Sequence, residues 1–169
     1  MTARLAYVIA LAVFVIDQVT KWLIISVVEL ESRGSIPIIP SLNLTWVENT
    51  GVAMGLFQAG DVDFMRWLLV AVTVAIAGGI VWWINSERDR VDLFAMALIL
   101  GGALGNILDR ARLGYVVDFV HFYIADWSFY VFNVADASIT VGVTILLLRA
   151  FLWPEGEKRR KTQATGEPS

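Results

Sequence analysis

Two carboxylates that lie in unusually apolar sequence, Asp118 and Asp136, are the residues of this chain best suited to chemistry. Asp118 is flanked by Val117 and Phe119, and Asp136 opens a long apolar run. An ionised carboxylate is costly in such surroundings, so it is a candidate for a functional role. Two carboxylates that converge can divide acid–base chemistry, because one can hold a proton while the other stays ionised.

A second group of polar residues lies one helical turn apart in another apolar run. Asn106, Asp109 and Arg110 fall at i, i+3 and i+4, so they share one face of a helix. Asp109 and Arg110 would also suit the end of a membrane helix, whereas a buried Asn106 needs hydrogen-bond partners. Asn133 precedes Asp136 by three residues, a spacing that suits both a helix N-cap and a carboxylate held in place for catalysis.

A third polar feature, Asp17 with Lys21, interrupts the first apolar run of the chain. The two residues are one helical turn apart and can form an ion pair on one face. This pair is either a structural intramembrane ion pair or part of a polar face turned toward an active-site cleft. The sequence pattern favours neither interpretation.

The composition indicates an integral membrane protein. The 169 residues are 57% hydrophobic, and the mean hydropathy of +0.67 exceeds that of soluble domains. The net charge of −3 gives no reason to expect a nucleic-acid partner. The absence of cysteine excludes disulfides, thiolate catalysis and cysteine metal sites. We expect no metal, and we interpret His121, the single histidine, as an interfacial residue rather than a catalytic one.

Four apolar runs approach the roughly 20 residues that a helix needs to cross a bilayer. They cover residues of about 5–28, 64–84, 91–108 and 135–153. In the third run, Gly101, Gly102 and Gly105 permit close approach between helices. We predict a mainly α membrane protein with four transmembrane helices in one domain, residues 1–153, and a polar, disordered tail at 154–169.

The segment of about 29–63 predicts a small β-sheet outside the membrane. Leu42, Leu44 and Trp46 alternate with more polar neighbours, a pattern typical of a strand. Asn49-Thr-Gly51 is a turn signal, so the pattern alone makes Asn49 a turn residue. A short segment between the third and fourth helices is expected to lie on the same outer surface.

Basic residues are distributed unequally between the two sides of the predicted bundle. One side carries Arg4, Arg88, Arg90, Arg149, Lys158, Arg159, Arg160 and Lys161, and the other carries Arg33, Arg66, Arg110 and Arg112. The positive-inside rule therefore places both termini in the cytoplasm. The carboxylates would then lie near the outer face, where both lipid and water can reach them.

These features favour hydrolysis by an activated water molecule. One carboxylate would accept a proton from water, and the other would hydrogen-bond the scissile carbonyl. A small proton-coupled carrier also uses intramembrane carboxylates, although four spans without a repeat count against it. A non-catalytic protein that binds lipidated peptides is a third interpretation.

The motifs of this chain resemble those of the bacterial lipoprotein signal peptidases, also called signal peptidase II. The resemblance follows five blocks in order: DQVTKW at 17–22, VENTGVAMG at 47–55, GGALGNILDR at 101–110, VVDFVHF at 116–122 and FNVADASI at 132–139. One block would be a weak signal, but five in order on four spans are highly specific. The chain departs from the family at Val52 and Met54, where Ala and Phe are common.

The resemblance implies an aspartyl endopeptidase of the bacterial inner membrane. Such an enzyme removes signal peptides from diacylglyceryl-modified prolipoproteins and cleaves just before the lipidated cysteine. It implies no cofactor, and its partners are those prolipoproteins and membrane lipids; we expect a monomer. The positions that match the family's catalytic pair are Asp118 and Asp136. Those that match its supporting residues are Asp17, Asn49, Gly51, Asn106, Arg110 and Asn133.

Overall fold

A computed structural model describes residues 1–51, 62–124 and 127–152. The elements in chain order are α1 (Ala3–Ser26), α2 (Leu30–Arg33), β1 (Ser35–Ile39), β2 (Leu42–Asn49), α3 (Val62–Ser86), α4 (Arg90–Leu113), β3 (Val116–Ile124), β4 (Trp127–Phe132) and α5 (Val134–Leu152). The predicted tail at 154–169 and the departures at Val52 and Met54 lie outside the described residues.

Four of these helices, α1, α3, α4 and α5, are long and apolar enough to span a membrane. They present large apolar side chains to the surroundings, among them Leu11, Trp82 and Phe151. Such apolar surfaces are stable in lipid. A helix can cross the lipid because its backbone groups are satisfied within its own segment. The predicted class, four transmembrane helices with a small sheet, is confirmed.

Helix α4 is the central element of the bundle, and it packs against α1, α3 and α5. A Cβ atom on Gly101 would collide with the backbone of Ala10 in α1, and one on Gly102 would collide with the backbone of Ala135 in α5. The predicted close approach at these glycines is therefore confirmed. Because α4 lies close to α1 and α5, polar side chains on its two sides can meet those of both neighbours.

A four-stranded antiparallel sheet in the order β1-β2-β3-β4 covers one end of the bundle, here called the sheet end. Val117 and Phe119 of β3 pack with Ile24 of α1 and Leu30 of α2 in a small apolar core. Strands β1 and β2 lie in the segment predicted to be extended. The segment between the last two spans was expected only as a surface segment, but it supplies β3 and β4 of the same sheet.

The register of the sheet determines where Asp118 lies. β2 and β3 pair so that Val47 lies opposite Asp118 and Asn49 lies opposite Val116, beyond an irregularity in the pairing between Leu44 and Val47. The end of β2 therefore lies beside the carboxylate. Since β4 leads directly into α5, the sheet also fixes where α5 begins.

Candidate active site

The first turn of α5 places Asp136 through a reciprocal cap with Asn133. The backbone N–H of Asp136 donates to Asn133 Oδ1 at 2.9 Å, and the backbone N–H of Asn133 donates to Asp136 Oδ2 at 3.4 Å. This is a capping box, which satisfies two N–H groups that a helix start leaves unpaired. The N-cap predicted from the spacing is confirmed, and it leaves Asp136 Oδ1 available for another contact.

Asp118 lies on β3 and is fully buried. Its Oδ2 accepts a hydrogen bond from Asn49 Nδ2 at 2.8 Å, and its Oδ1 accepts one from Asn133 Nδ2 at 2.6 Å. Buried carboxyl oxygens are costly without such donors. Two amides from different elements, the end of β2 and the start of α5, therefore hold this carboxylate.

Asn106 and Asn133 link the two carboxylates. Asn106 Nδ2 donates to Asp136 Oδ1 at 2.8 Å, and Asn133 Nδ2, which donates to Asp118, also lies 3.4 Å from Asn106 Oδ1. The chain Asp118–Asn133–Asn106–Asp136 thus joins β3, α5 and α4. The structure brings together the two residues that we expected to react, although 18 positions separate them in the sequence.

The surroundings of Asp118 favour its protonated form. The pKa of Asp118 is raised to about 6 because burial and the charge of Asp136 outweigh the hydrogen bonds from Asn49 and Asn133, which lower it. Burial is the largest of these effects because it disfavours the charged form of an acid. Asp118 can therefore hold a proton at mildly acidic pH, where an ordinary aspartate would be ionised.

The turn after β2 holds Asn49 in place. The backbone N–H of Gly51 donates to Asn49 Oδ1 at 2.8 Å, so the side chain forms a local turn while its Nδ2 faces Asp118. Gly51 has a φ of 76°, and a Cβ atom there would collide with the side chain of Leu69. Asn49 is therefore a turn residue and a donor to the carboxylate at the same time.

Tyr130, on β4, is a member of this site that sequence reasoning missed. Asn49 Nδ2 donates to the Tyr130 hydroxyl as well as to Asp118. Burial and the charges of Asp118 and Asp136 raise the pKa of Tyr130, so its hydroxyl stays protonated. Because β4 itself was not predicted, no signal in the sequence pointed to this tyrosine.

Arg110 provides positive charge beside the carboxylate pair. Its guanidinium interacts electrostatically with Asp136 and Asp118, and its buried Nε has no hydrogen-bond partner among the residues that the structure describes. A buried guanidinium donor without a partner is costly, so the geometry suits an acceptor supplied by a bound molecule.

Arg66, on α3, anchors the helix end that carries Arg110. Its Nε and Nη2 each donate at 2.8 Å to the carbonyl oxygens of Arg110 and Ala111. The Arg110 carbonyl also accepts the backbone N–H of Gly114, the C-cap residue of α4. A cation beside the last carbonyls of a helix is favourable because it interacts with the negative end of the helix dipole. Sequence reasoning missed Arg66, because a cap supplied by another helix leaves no local pattern.

Asp17 lies in a buried ion cluster next to the candidate catalytic pair, and its Oδ1 accepts the backbone N–H of Ala135, the residue before Asp136. Lys21 Nζ lies 2.9 Å from Asp17 Oδ2 and 2.7 Å from Asp109 Oδ2. The predicted pairing of Asp17 with Lys21 is confirmed. The alternative that Asp109 merely ends a helix at the interface is wrong, because Asp109 is only 4% exposed.

His121 lies on β3 away from these contacts. Its Nδ1 is 3.2 Å from Thr45 Oγ1, and its Nε2 is 2.7 Å from Ser128 Oγ. Both ring nitrogens are therefore used within the sheet. Among the described residues, no group of three or more acidic, histidine or cysteine side chains is arranged to hold a metal ion.

Comparisons with known proteins show the family to which this chain is related. The profile of the family described as Signal peptidase (SPase) II matches residues 9–152. A lipoprotein signal peptidase of Rhizorhabdus wittichii is 54% identical over 149 residues, which are 88% of this chain and 86% of the relative. One from Sphingopyxis alaskensis is 47% identical over 167 residues, covering 98% of this chain and 94% of the relative.

Solved structures of two bacterial membrane enzymes, both obtained by the in meso method, share the fold. One is 32% identical with a TM-score of 0.75, over 88% of this chain and 93% of the other. The second is 30% identical with a TM-score of 0.71, over 97% of this chain and 92% of the other. The similarity therefore extends across the four spans and the sheet.

Proposed function

This chain belongs to the signal peptidase II family, the lipoprotein signal peptidases, and we propose that it is an aspartyl endopeptidase that uses Asp118 and Asp136. Its substrates are prolipoproteins whose cysteine carries a diacylglyceryl group. It cleaves the peptide bond just before that cysteine and releases the signal peptide. The observation that carries this proposal is the amide bridge through Asn133 and Asn106, which joins two carboxylates from separate elements.

The reaction begins with Asp118 protonated and Asp136 ionised, an assignment that the raised pKa of Asp118 supports. Asp136 accepts a proton from a water molecule, whose oxygen attacks the scissile carbonyl carbon. Asp118 donates its proton to the carbonyl oxygen, and a tetrahedral diol forms. Asp136 then passes its proton to the nitrogen of the leaving cysteine, Asp118 recovers its proton from the diol, and the C–N bond breaks.

Four polar side chains support these reaction steps directly. Asn106 and Asn133 orient the carboxylates by donating to Asp136 and Asp118. Arg110, whose Nε lacks a partner among the described residues, binds a carbonyl of the substrate backbone. Asn49 also donates directly to Asp118. Asp17 and Gly51 act at one remove, since Asp17 holds the start of α5 and Gly51 holds the side chain of Asn49.

The site lies at the boundary between lipid and water on the outer side of the bacterial inner membrane. Both termini lie in the cytoplasm, in keeping with the distribution of basic residues. The diacylglyceryl chains of the substrate can then remain in the bilayer while the peptide bond reaches the carboxylates. Binding energy from the lipid would help to position that bond. We expect the monomer to be active.

Incubation of the purified protein with a diacylglyceryl-modified prolipoprotein tests the proposal. Mass spectrometry should show loss of the signal peptide and a new N-terminal lipidated cysteine, and the unlipidated precursor should react much more slowly. Asp118→Asn, Asp136→Asn and the double variant should lose cleavage to a similar, near-complete extent, because paired groups act as one unit.

Asp63→Asn is the matched control, since Asp63 is an exposed acid at the start of α3 and at the same end of the bundle. It should cleave at the wild-type rate. Substantial cleavage by a folded Asp118→Asn or Asp136→Asn protein would contradict the assignment. Intact binding without any turnover in the wild type would instead favour a protein that only binds lipidated peptides.

A further inference from the structure

We propose that Lys21 is a positioning residue, whose contacts with three neighbouring side chains set where Asp118 and Asp136 lie relative to each other. The inference rests on the proposed function, in which these two aspartates react. The Lys21 ammonium has three donors, and the structure gives each an acceptor: Asp17, Asp109 and Asn106. Each acceptor also holds a catalytic aspartate or the residue next to it.

The first connection runs through Asp17 to α5. Asp17 Oδ2 pairs with Lys21 at 2.9 Å, and Asp17 Oδ1 accepts the backbone N–H of Ala135 at 2.9 Å. Ala135 directly precedes Asp136, and its N–H is one of those that the start of a helix leaves free. The side chain of one spanning helix thus fixes the first turn of another, on which Asp136 lies.

The second connection runs through Asp109 to β3. Asp109 Oδ2 pairs with Lys21 at 2.7 Å and also accepts the backbone N–H of Val117 at 3.3 Å. Val117 directly precedes Asp118. The two carboxylates paired with Lys21 therefore hold the residues that precede the two catalytic aspartates, and the single ammonium between them determines how far apart those aspartates lie.

The third connection determines which way an amide points. Asn106 Oδ1 accepts from Lys21 at 3.2 Å, and Asn106 Nδ2 donates to Asp136 at 2.8 Å. An ammonium can only donate, so the amide oxygen must face Lys21 and the amide nitrogen must face Asp136. Without Lys21, the amide of Asn106 could turn over and present an oxygen to the carboxylate.

The cluster is buried and closely packed, so its geometry is well defined. The side chain of Lys21 is only 3% exposed, and Gln18 Nε2 donates to Asp109 Oδ1 at 3.0 Å and to Asp17 Oδ2 at 3.2 Å. In such surroundings hydrogen bonds and ion pairs are stronger than in water, and a satisfied network is rigid. Because the ammonium has no donor left for substrate, Lys21 acts only through its neighbours.

The absence of cysteine in this chain allows a chemical test. The Lys21→Cys protein is unfolded so that the reagent reaches this buried position, and 2-bromoethylamine adds an aminoethyl group to the single thiol. Refolding then places an ammonium at the position of Nζ. Bromoethane adds a neutral ethyl group of similar size as the control. We expect kcat to fall about 10²-fold in Lys21→Cys, since small misplacements of reacting groups cost that much, with little change in KM. The aminoethyl form should regain most of kcat, and the ethyl form should not.

Arg149→Met is a matched control for the loss of a cation shared by two carboxylates. Arg149 pairs with Asp89 and Asp92 at 2.7 Å each, at the end of α4 opposite the sheet. This variant should lose thermal stability but keep kcat. Equal recovery with the ethyl and aminoethyl groups, or wild-type kcat in Lys21→Cys, would overturn the inference.

A second variant keeps the test decisive if Lys21→Cys does not fold. In Asp109→Asn, Lys21 retains Asp17 as its counter-ion. The two carboxylate oxygens that accept from Gln18, Lys21 and Val117 are replaced by one amide oxygen, which cannot accept from all three in the same geometry. We expect a folded protein with reduced kcat and nearly unchanged KM, and an unchanged kcat would overturn the inference. Failure of the proposed function itself would appear elsewhere, as cleavage by Asp118→Asn or Asp136→Asn.

Discussion

Asn133 donates its side-chain amide to Asp118 at 2.6 Å, from the N-cap position of the helix that carries Asp136. One residue therefore caps α5 and holds the carboxylate of β3. Because the cap fixes the direction in which the helix starts, the donor and Asp136 are placed by the same local structure. The start of α5 therefore contributes to the placement of both candidate catalytic groups.

Two substitutions at Asn133 should separate its cap from its amide donor. Asn133→Ser retains an N-cap oxygen, whereas Asn133→Ala removes it, so the Ala variant should be less stable than the Ser variant by about 1 kcal/mol. Both variants lack the side-chain amide that donates to Asp118, so both should cleave slowly. Thermal unfolding in detergent and single-turnover cleavage measure the two effects. Recovery of wild-type cleavage in Asn133→Ser would show that only the cap matters.

Removal of the Asn49 amide should move the pH dependence of cleavage. Burial is the main reason that the pKa of Asp118 is raised to about 6, and the hydrogen bond from Asn49 keeps it from rising further. If protonated Asp118 is the reactive form, kcat/KM falls as the pH rises through about 6. In Asn49→Ala the pKa rises further, so this fall should move upward by on the order of one pH unit.

Asn85→Ala is the control for this profile, because the Asn85 amide donates to the Val81 carbonyl on an exposed part of α3. Its profile should match that of the wild type. A shift of the Asn49→Ala profile toward lower pH would contradict the assignment of the proton to Asp118.

Gly105 should not tolerate even one methyl group. A Cβ atom there would collide with Asp17 Oδ2 and displace the carboxylate that holds the first turn of α5. We expect Gly105→Ala to lose about 1–3 kcal/mol of stability through overpacking and to cleave slowly. Gly79→Ala, where a Cβ atom would meet nothing within 4 Å, should be as stable as the wild type or more so. Similar unfolding temperatures for both variants would contradict this contact.

Single cysteines should report the orientation of the bundle. An impermeant maleimide applied to spheroplasts should label Ser41→Cys, in the turn between β1 and β2, but not Ser86→Cys, at the end of α3. The chain has no other cysteine to react. Permeabilised membranes should give labelling of both variants. The reverse pattern in intact spheroplasts would place the sheet and the site in the cytoplasm.

Local patterns in the sequence were sufficient for much of this protein. Run length and hydropathy determine the four spanning helices, because a helix satisfies its own backbone groups within the segment. The cap of Asn133 on α5 and the ion pair of Asp17 with Lys21 were also predictable, since both join residues within one helical turn. The five ordered motif blocks were sufficient to identify the family.

Other features depend on contacts between segments that are distant in the sequence. Strands β3 and β4 satisfy their hydrogen bonds through pairing with β2 and with each other, so their own residues did not predict them. Asn49 meets Asp118 across 69 positions, and Lys21 meets Asn106 across 85. The cap that Arg66 of α3 provides for the end of α4 also joins distant segments. Tyr130 meets Asn49 because the pairing of β4 in the sheet brings it there.

The sequence by itself determined the membrane class, the spans and the residue types available for chemistry. The tertiary structure decided which of those residues meet. It showed that Asp109 is a buried partner of Lys21 rather than a helix end at the interface. Local propensity cannot supply such information, because a buried charge is stable only where another segment brings its partner, and that depends on how the helices and the sheet pack together.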